Sequence, residues 1–160
     1  MKTVKYIEGE PFDFAAVKIE DILPQRPPVL VVSSLLSHCP DETVTAFNVG
    51  EDNVFFDPAR GFCAEGLMEN AAQTCSARIG FISRYVDMRP VSIGLLCRIK
   101  NYSVHSLPSA GDTLRTCVSA SASVGQMTIF KTRTFRGEEL IAEGELAVAE
   151  SDPGSGENVI

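Results

Sequence analysis

Ala64-Glu65-Gly66-Leu67-Met68-Glu69-Asn70-Ala71-Ala72-Gln73-Thr74-Cys75-Ser76-Ala77-Arg78-Ile79-Gly80-Phe81-Ile82-Ser83-Arg84 is the longest stretch of the chain with a helical period. Set out at about 100° per residue, Leu67, Met68, Ala71, Ala72, Cys75 and Ile79 fill one arc of about 140°, and Glu65, Glu69, Gln73 and Ser76 fill the arc beside it. Gly66, Ala71, Ala72, Ser76, Ala77 and Gly80 make this helix unusually slim. A slim helix can be tightly enclosed by a sheet, which an exposed surface helix would not require.

Downstream of Pro90 the period changes to two. Val91, Ile93, Leu95, Cys97 and Ile99 alternate with Ser92, Gly94, Arg98 and Lys100. Similar alternation runs over Leu114–Val124 and Leu140–Val148, with Met127–Arg136 between them and turns at Gly125-Gln126 and Gly137-Glu138. Four long strands following one helix predict an antiparallel meander. Upstream, Phe12–Leu23 has a helical spacing that Pro24 stops, and Val29–Ser37 is expected to be a buried strand. Pro40-Asp41-Glu42 is a turn signal, and Thr43–Val49 is β-prone. The expected architecture is α+β, a strongly curved antiparallel sheet wrapped around one central helix. It forms a single domain over 12–150, with a flexible arm at 1–11 and a flexible acidic tail at 151–160.

The chain has 160 residues and a formal charge of −7, which argues against a protein that works by neutralising nucleic-acid phosphates. That sum hides a division: residues 1–77 carry −7, residues 78–136 carry +7 and residues 137–160 carry −7. No run is long and apolar enough to span a bilayer, and the first residues lack the apolar core of a signal peptide, so a cytoplasmic location is expected. Five cysteines, widely spaced and without a CxxC pair, fit reduced thiols. His38 and His105 stand at no ligand spacing, so neither a metal site nor a cofactor is expected.

Glu69, with Gln73 one turn on, is the carboxylate that an enclosed helix should not carry without reason. It is either a helix-surface acid near Arg26 or Arg78, or a general acid/base. Arg60, Gly61 and the helix start near Gly66 could offer backbone N–H groups to a carbonyl oxygen. Met68, Phe81 and Leu96 are candidate linings for an acyl chain, or simply core. Arg98, Lys100, Lys131 and Arg133 could form a basic docking patch, or pair with acids on neighbouring strands.

The order of these motifs resembles the hot-dog-fold 3-hydroxyacyl-[acyl carrier protein] dehydratases over about residues 20–149. Matching segments are Leu23-Pro24-Gln25-Arg26-Pro27-Pro28 before an apolar run, Phe55-Phe56, and Glu69-Asn70-Ala71-Ala72-Gln73. Ser109-Ala110-Gly111-Asp112-Thr113-Leu114 and Ala142-Glu143-Gly144-Glu145-Leu146 complete the set. The resemblance implies that Glu69 works across a dimer interface with a histidine of the other subunit. Where that family has its histidine loop, this chain reads Asp57-Pro58-Ala59-Arg60-Gly61-Phe62, shorter and without histidine. In this it is more similar to the dehydratase-like accessory proteins of aryl polyene pigment pathways, partners of a histidine-bearing hot-dog subunit. Three roles are therefore open. The chain is a dehydratase-like protein acting on acyl thioesters of acyl carrier protein or coenzyme A, as a homodimer or as the Glu-donating half of a mixed dimer. Alternatively it is a thioesterase using Glu69, or a non-catalytic subunit that binds acyl carrier protein or completes an oligomer.

Overall fold

The structure, a computed structural model, describes residues 2–151. Its strands are β1 (Ser34–His38), β2 (Thr43–Asn48), the short β3 (Phe56–Asp57) and β4 (Gly61–Phe62), β5 (Ile93–Val104), β6 (Thr113–Val124), β7 (Met127–Arg136) and β8 (Glu139–Ser151). The helix α1 spans Ala64–Phe81 and continues as a wider π-turn over Ile82–Val86. Six strands form one antiparallel sheet in the order β1-β2-β6-β7-β8-β5, and β3 pairs only with β4. Helix α1 lies across the inner face of this sheet, with Ala71 fully buried and Leu67 and Cys75 fully buried in the clusters between them. This is the expected hot-dog arrangement.

Four details differ from the expectations above. The meander holds for β6, β7 and β8, whereas β5 skips β6 and pairs with β8 at the sheet edge. The apolar alternation of β5 therefore faces no core over much of its length: Leu95, Leu96 and Ile99 are 39–44% exposed. Phe12–Leu23 forms two 3-10 turns, Phe14–Ala16 and Ile19–Asp21, separated by extended Val17 and Lys18. That break lets Val17, Ile19, Ile22 and Leu23 all reach the core, which one regular helix could not arrange. Strand β1 begins only at Ser34, because the backbone at Val31 bonds to helix side chains rather than to a strand. The arm before Phe12 is tied down at Tyr6, whose N–H donates to Tyr85 O (2.7 Å) and whose ring packs on Phe12, Phe14, Phe81 and His38. The tail from 152 onward lies outside the described residues.

The sheet's inner face is partly polar beneath the helix. Thr45, Thr116 and Thr134 stand opposite one another across β2, β6 and β7, and all three are buried. Asn70 meets this row: its Oδ1 accepts from Thr116 Oγ1 (2.6 Å) and its Nδ2 donates to Val31 O (2.8 Å). Thr116 spends its single proton on Asn70, so Thr134 donates to Thr116 (2.9 Å). By the same logic Thr74 donates to Asn70 O and receives from Thr45, both at 2.8 Å. Each of these threonine hydroxyls is satisfied, so the row fixes the helix in register on the sheet without leaving its own polar atoms unpaired.

Candidate functional site

Glu69 sits half-buried on the flank of α1 and Gln73 is 1% exposed one turn later. The surroundings dictate how Gln73 points. Val31 N–H donates to Gln73 Oε1 (2.9 Å), so the amide nitrogen must face the other way. That nitrogen donates to Glu69 Oε1 (2.8 Å) and to Val29 O (3.1 Å). One carboxylate oxygen of Glu69 is thus anchored, while Oε2 has no partner among the described residues. Gln73 thus fixes the orientation of the Glu69 carboxylate through that one oxygen. The ion pairs expected of a surface acid do not form: Arg26 bonds Leu23 O, Gln25 O and Glu20 O, and Arg78 is held by the β1–β2 turn.

The loop before the helix is a tight hairpin. Asp57 Oδ1 accepts from Ala59 N–H (2.7 Å) and Arg60 N–H (3.0 Å), closing the turn between β3 and β4. Arg60 N–H is therefore taken and is not free for a carbonyl oxygen. Gly66 is taken as well, since its N–H donates to Cys63 O (3.1 Å). Its small size has another cause: a Cβ there would come within 2.5 Å of the Phe62 ring and 2.7 Å of Phe55. Gly61 adopts φ +81°, the left-handed conformation the hairpin needs as it leaves the turn.

The remaining candidates divide by place. Met68 is half-buried on the helix next to Glu69, and Leu96 is exposed on β5. Phe81 lies twelve residues beyond Glu69, about 18 Å along the helix axis. It is fully buried among Tyr6, Phe12, Phe14, His38 and Tyr85, so it is core and not a lining beside Glu69. His38 belongs to that same far end: its Nδ1 is 2.8 Å from Thr43 Oγ1, and burial, reinforced by the Arg78 charge, lowers its pKa to about 4. His105 pairs with Glu143 at the surface (3.2 Å). Neither histidine reaches Glu69.

The basic residues of the middle strands are interleaved with acids. Lys131 stands opposite Glu145 and Arg133 opposite Glu143 across β7 and β8, and Lys100 faces Glu145 from β5. Arg136 is bound to Glu139 (2.8 Å), and Arg89 to Glu150 (2.8 Å). Lys100, Lys131 and Arg133 thus sit on a two-signed surface, whereas Arg98 stands opposite Ala147. Asn70 is a residue that the sequence patterns did not single out; an amide on the sheet-facing side of a small-residue helix is the available signal. Among the described residues no group of three His, Cys, Asp or Glu could hold a metal ion, and no helix is long and apolar enough to cross a membrane.

Known structures share this fold. The dehydratase heterocomplex ApeI:P of Xenorhabdus doucetiae superposes with a TM-score of 0.78 at 14% identity, covering 86% of this chain and 93% of that one. A hypothetical thioesterase of Streptococcus pneumoniae TIGR4, solved with coenzyme A, gives 0.58 at 7% identity over 74% and 84%. The E. coli PaaI protein of the phenylacetic acid degradation operon gives 0.56 at 11% over 72% and 80%. No curated protein matches the sequence. The family described as ApeP-like, ApeP dehydratase, does match, over residues 17–158. With the slim helix, the anchored Glu69 and the histidine-free hairpin all inside that span, the chain belongs to the ApeP-like dehydratase family.

Proposed function

We propose that this chain is the carboxylate-supplying subunit of a mixed hot-dog dimer that dehydrates 3-hydroxyacyl thioesters. The observation that carries the reading is Glu69 itself. It is anchored through one oxygen by Gln73 with the other unassigned, in a chain whose own hairpin and two histidines offer no second proton-transfer group. Dehydration breaks an α C–H bond and the C–O bond of the 3-hydroxyl, forms the C=C bond, and releases water once the hydroxyl has taken a proton. It needs one group to remove the α-proton and another to protonate the departing hydroxyl. Glu69 serves one of these steps, and a histidine of the second subunit serves the other.

Two further features support a mixed assembly. Strand β5 is paired on one side only and exposes Leu95, Leu96 and Ile99, an edge that a second sheet would cover. The ApeI:P structure is a heterocomplex of a fold-mate. The likeness to a thioesterase solved with coenzyme A favours one second reading, hydrolysis of a saturated acyl thioester by water that Glu69 activates.

The test uses the chain alone and with a histidine-bearing hot-dog subunit from the same genome. Each preparation is given a 3-hydroxyacyl and a saturated acyl thioester, on carrier protein and on coenzyme A. The proposal expects enoyl product only from the mixed preparation, with Glu69→Gln lowering turnover about 10²–10⁴-fold while the two chains still co-elute. Free thiol from the chain alone establishes the thioesterase instead. Full activity of the mixed Glu69→Gln complex overturns both and leaves a non-catalytic subunit.

A further inference from the structure

Arg78 is 7% exposed, yet no carboxylate among the described residues lies within ion-pair distance of it. Its contacts are all to neutral oxygens: Nη1 donates to Cys39 O (3.1 Å) and Thr43 Oγ1 (2.9 Å), and Nη2 donates to Pro40 O (2.6 Å). These account for three of the five guanidinium protons. The Nε–H and one Nη2–H remain, and Nε and Nη2 share one edge of the planar group, the edge that takes carboxylates in a two-pronged grip. Asp41 of the same turn acts on this guanidinium only from beyond ion-pair distance, so its direct partners are all neutral and burial is only partly offset.

Space for such a charge is present. Arg78 lines a cavity of about 180 Å³ between the end of α1 and the inner sides of β6 and β7. Ile79, Ile82 and Phe130 give it an apolar wall, and Ser123 and Thr128 supply hydroxyls. Its other charged members, Arg89 and Glu150, are bound to each other (2.8 Å). That volume is below the roughly 300 Å³ of pockets for drug-sized ligands, so it suits a molecule of few heavy atoms. The site lies nine residues beyond Glu69, about 14 Å along the helix.

We propose that this cavity binds a small free monocarboxylate with a short apolar tail, its carboxylate on the open edge of Arg78 and its tail against Ile79, Ile82 and Phe130. The site is separate from Glu69 and stands whether or not the proposed dehydration is correct. Butyrate is the probe, with butanol and inorganic phosphate as controls, titrated by calorimetry and by ligand-observed NMR against the full chain. Saturable butyrate binding is expected, at least tenfold tighter than either control. Thr128→Phe, which fills the cavity without touching the bonds of Arg78, should weaken it tenfold or more, and Glu69→Gln should leave it unchanged. Arg78→Met should abolish it if the protein folds; if it does not fold, Thr128→Phe decides. Butanol or phosphate binding as well as butyrate, or unaltered affinity in Thr128→Phe, overturns the proposal.

Discussion

The two ends of α1 are held by different mixtures of polar bonding and apolar burial. Around Glu69 the helix is fixed by directional polar bonds, with Gln73 and Asn70 reaching Val29 and Val31 and Asn70 also meeting the threonine row. Around Phe81 it is fixed mainly by bulk, an aromatic cluster of Tyr6, Phe12, Phe14, Phe81 and Tyr85 closed by the His38 ring, with Arg78 adding bonds to the β1–β2 turn. Polar bonds set positions to within fractions of an ångström but add little net stability, whereas aromatic burial adds much stability and tolerates small shifts. The division suits the proposed role: the end carrying the carboxylate is the precise one, and the end far from it carries the stability.

The comparison breaks most directly at Phe81. Phe81→Ala should cost about 3–5 kcal/mol in denaturant unfolding, because the void adjoins a packed cluster. It should leave the turnover of folded protein near the native value, and a selective loss of turnover would show that the two ends are not independent. Next comes acid. His38 has its ordinary pKa near 6.5 when unfolded and about 4 when folded, chiefly because burial disfavours its charged form. Between those values the unfolded chain binds the extra proton, so the stability is full above pH 6.5 and falls as the pH drops toward 4. The loss should amount to at most roughly 3 kcal/mol. Urea melts stepped through that window should show the decline, and His38→Asn should flatten it.

At the polar end Asn70→Ala should cost about 1–3 kcal/mol, since it strands the buried Val31 carbonyl. Here the larger effect should be on Glu69: if the polar end sets precision, turnover of the mixed complex should fall further than stability does. Equal proportional losses in Phe81→Ala and Asn70→Ala would erase the contrast between the ends. The smallest effect should come from Arg133→Gln. Its partner Glu42 is 3.9 Å away and both side chains are well exposed, so the change in unfolding free energy should stay below about 1 kcal/mol.

Much of this architecture is legible in the amino-acid sequence. Period and residue size place α1, period two places β6 and β8, and the glycine turns on either side place β7 between them. Glu69 and Gln73 stand out because a carboxylate on a slim, enclosed helix is anomalous. Strand order is not legible, since alternation in β5 reads the same whether the strand is internal or at an edge. The segment 29–33 reads as a strand but is not one, because Val29 and Val31 are bonded by side chains of Gln73 and Asn70 and the N–H groups of Val29 and Leu30 turn back to Arg26 O. Apolar residues alone do not reveal which partner satisfies a backbone amide. Phe12–Leu23 misleads for a similar reason, as its spacing fits one helix but burial of neighbouring Val17 and Ile19 needs a break. The roles of Arg60 and Gly66 turn on where single N–H groups point, a matter of loop geometry that no pattern encodes.

The placement of β5 also sets a timetable for synthesis. This strand directly follows the helix in the chain, yet the strand that completes it is the last one made. Every residue from His105 to Glu138 must be translated before β8 starts to appear, several seconds at ~5–20 residues per second. From the emergence of β5 to the emergence of β8, an interval of that length, the nascent chain presents β5 with both edges unpaired. A pause in synthesis during that interval would prolong the display of an unpaired strand, the kind of edge that promotes aggregation.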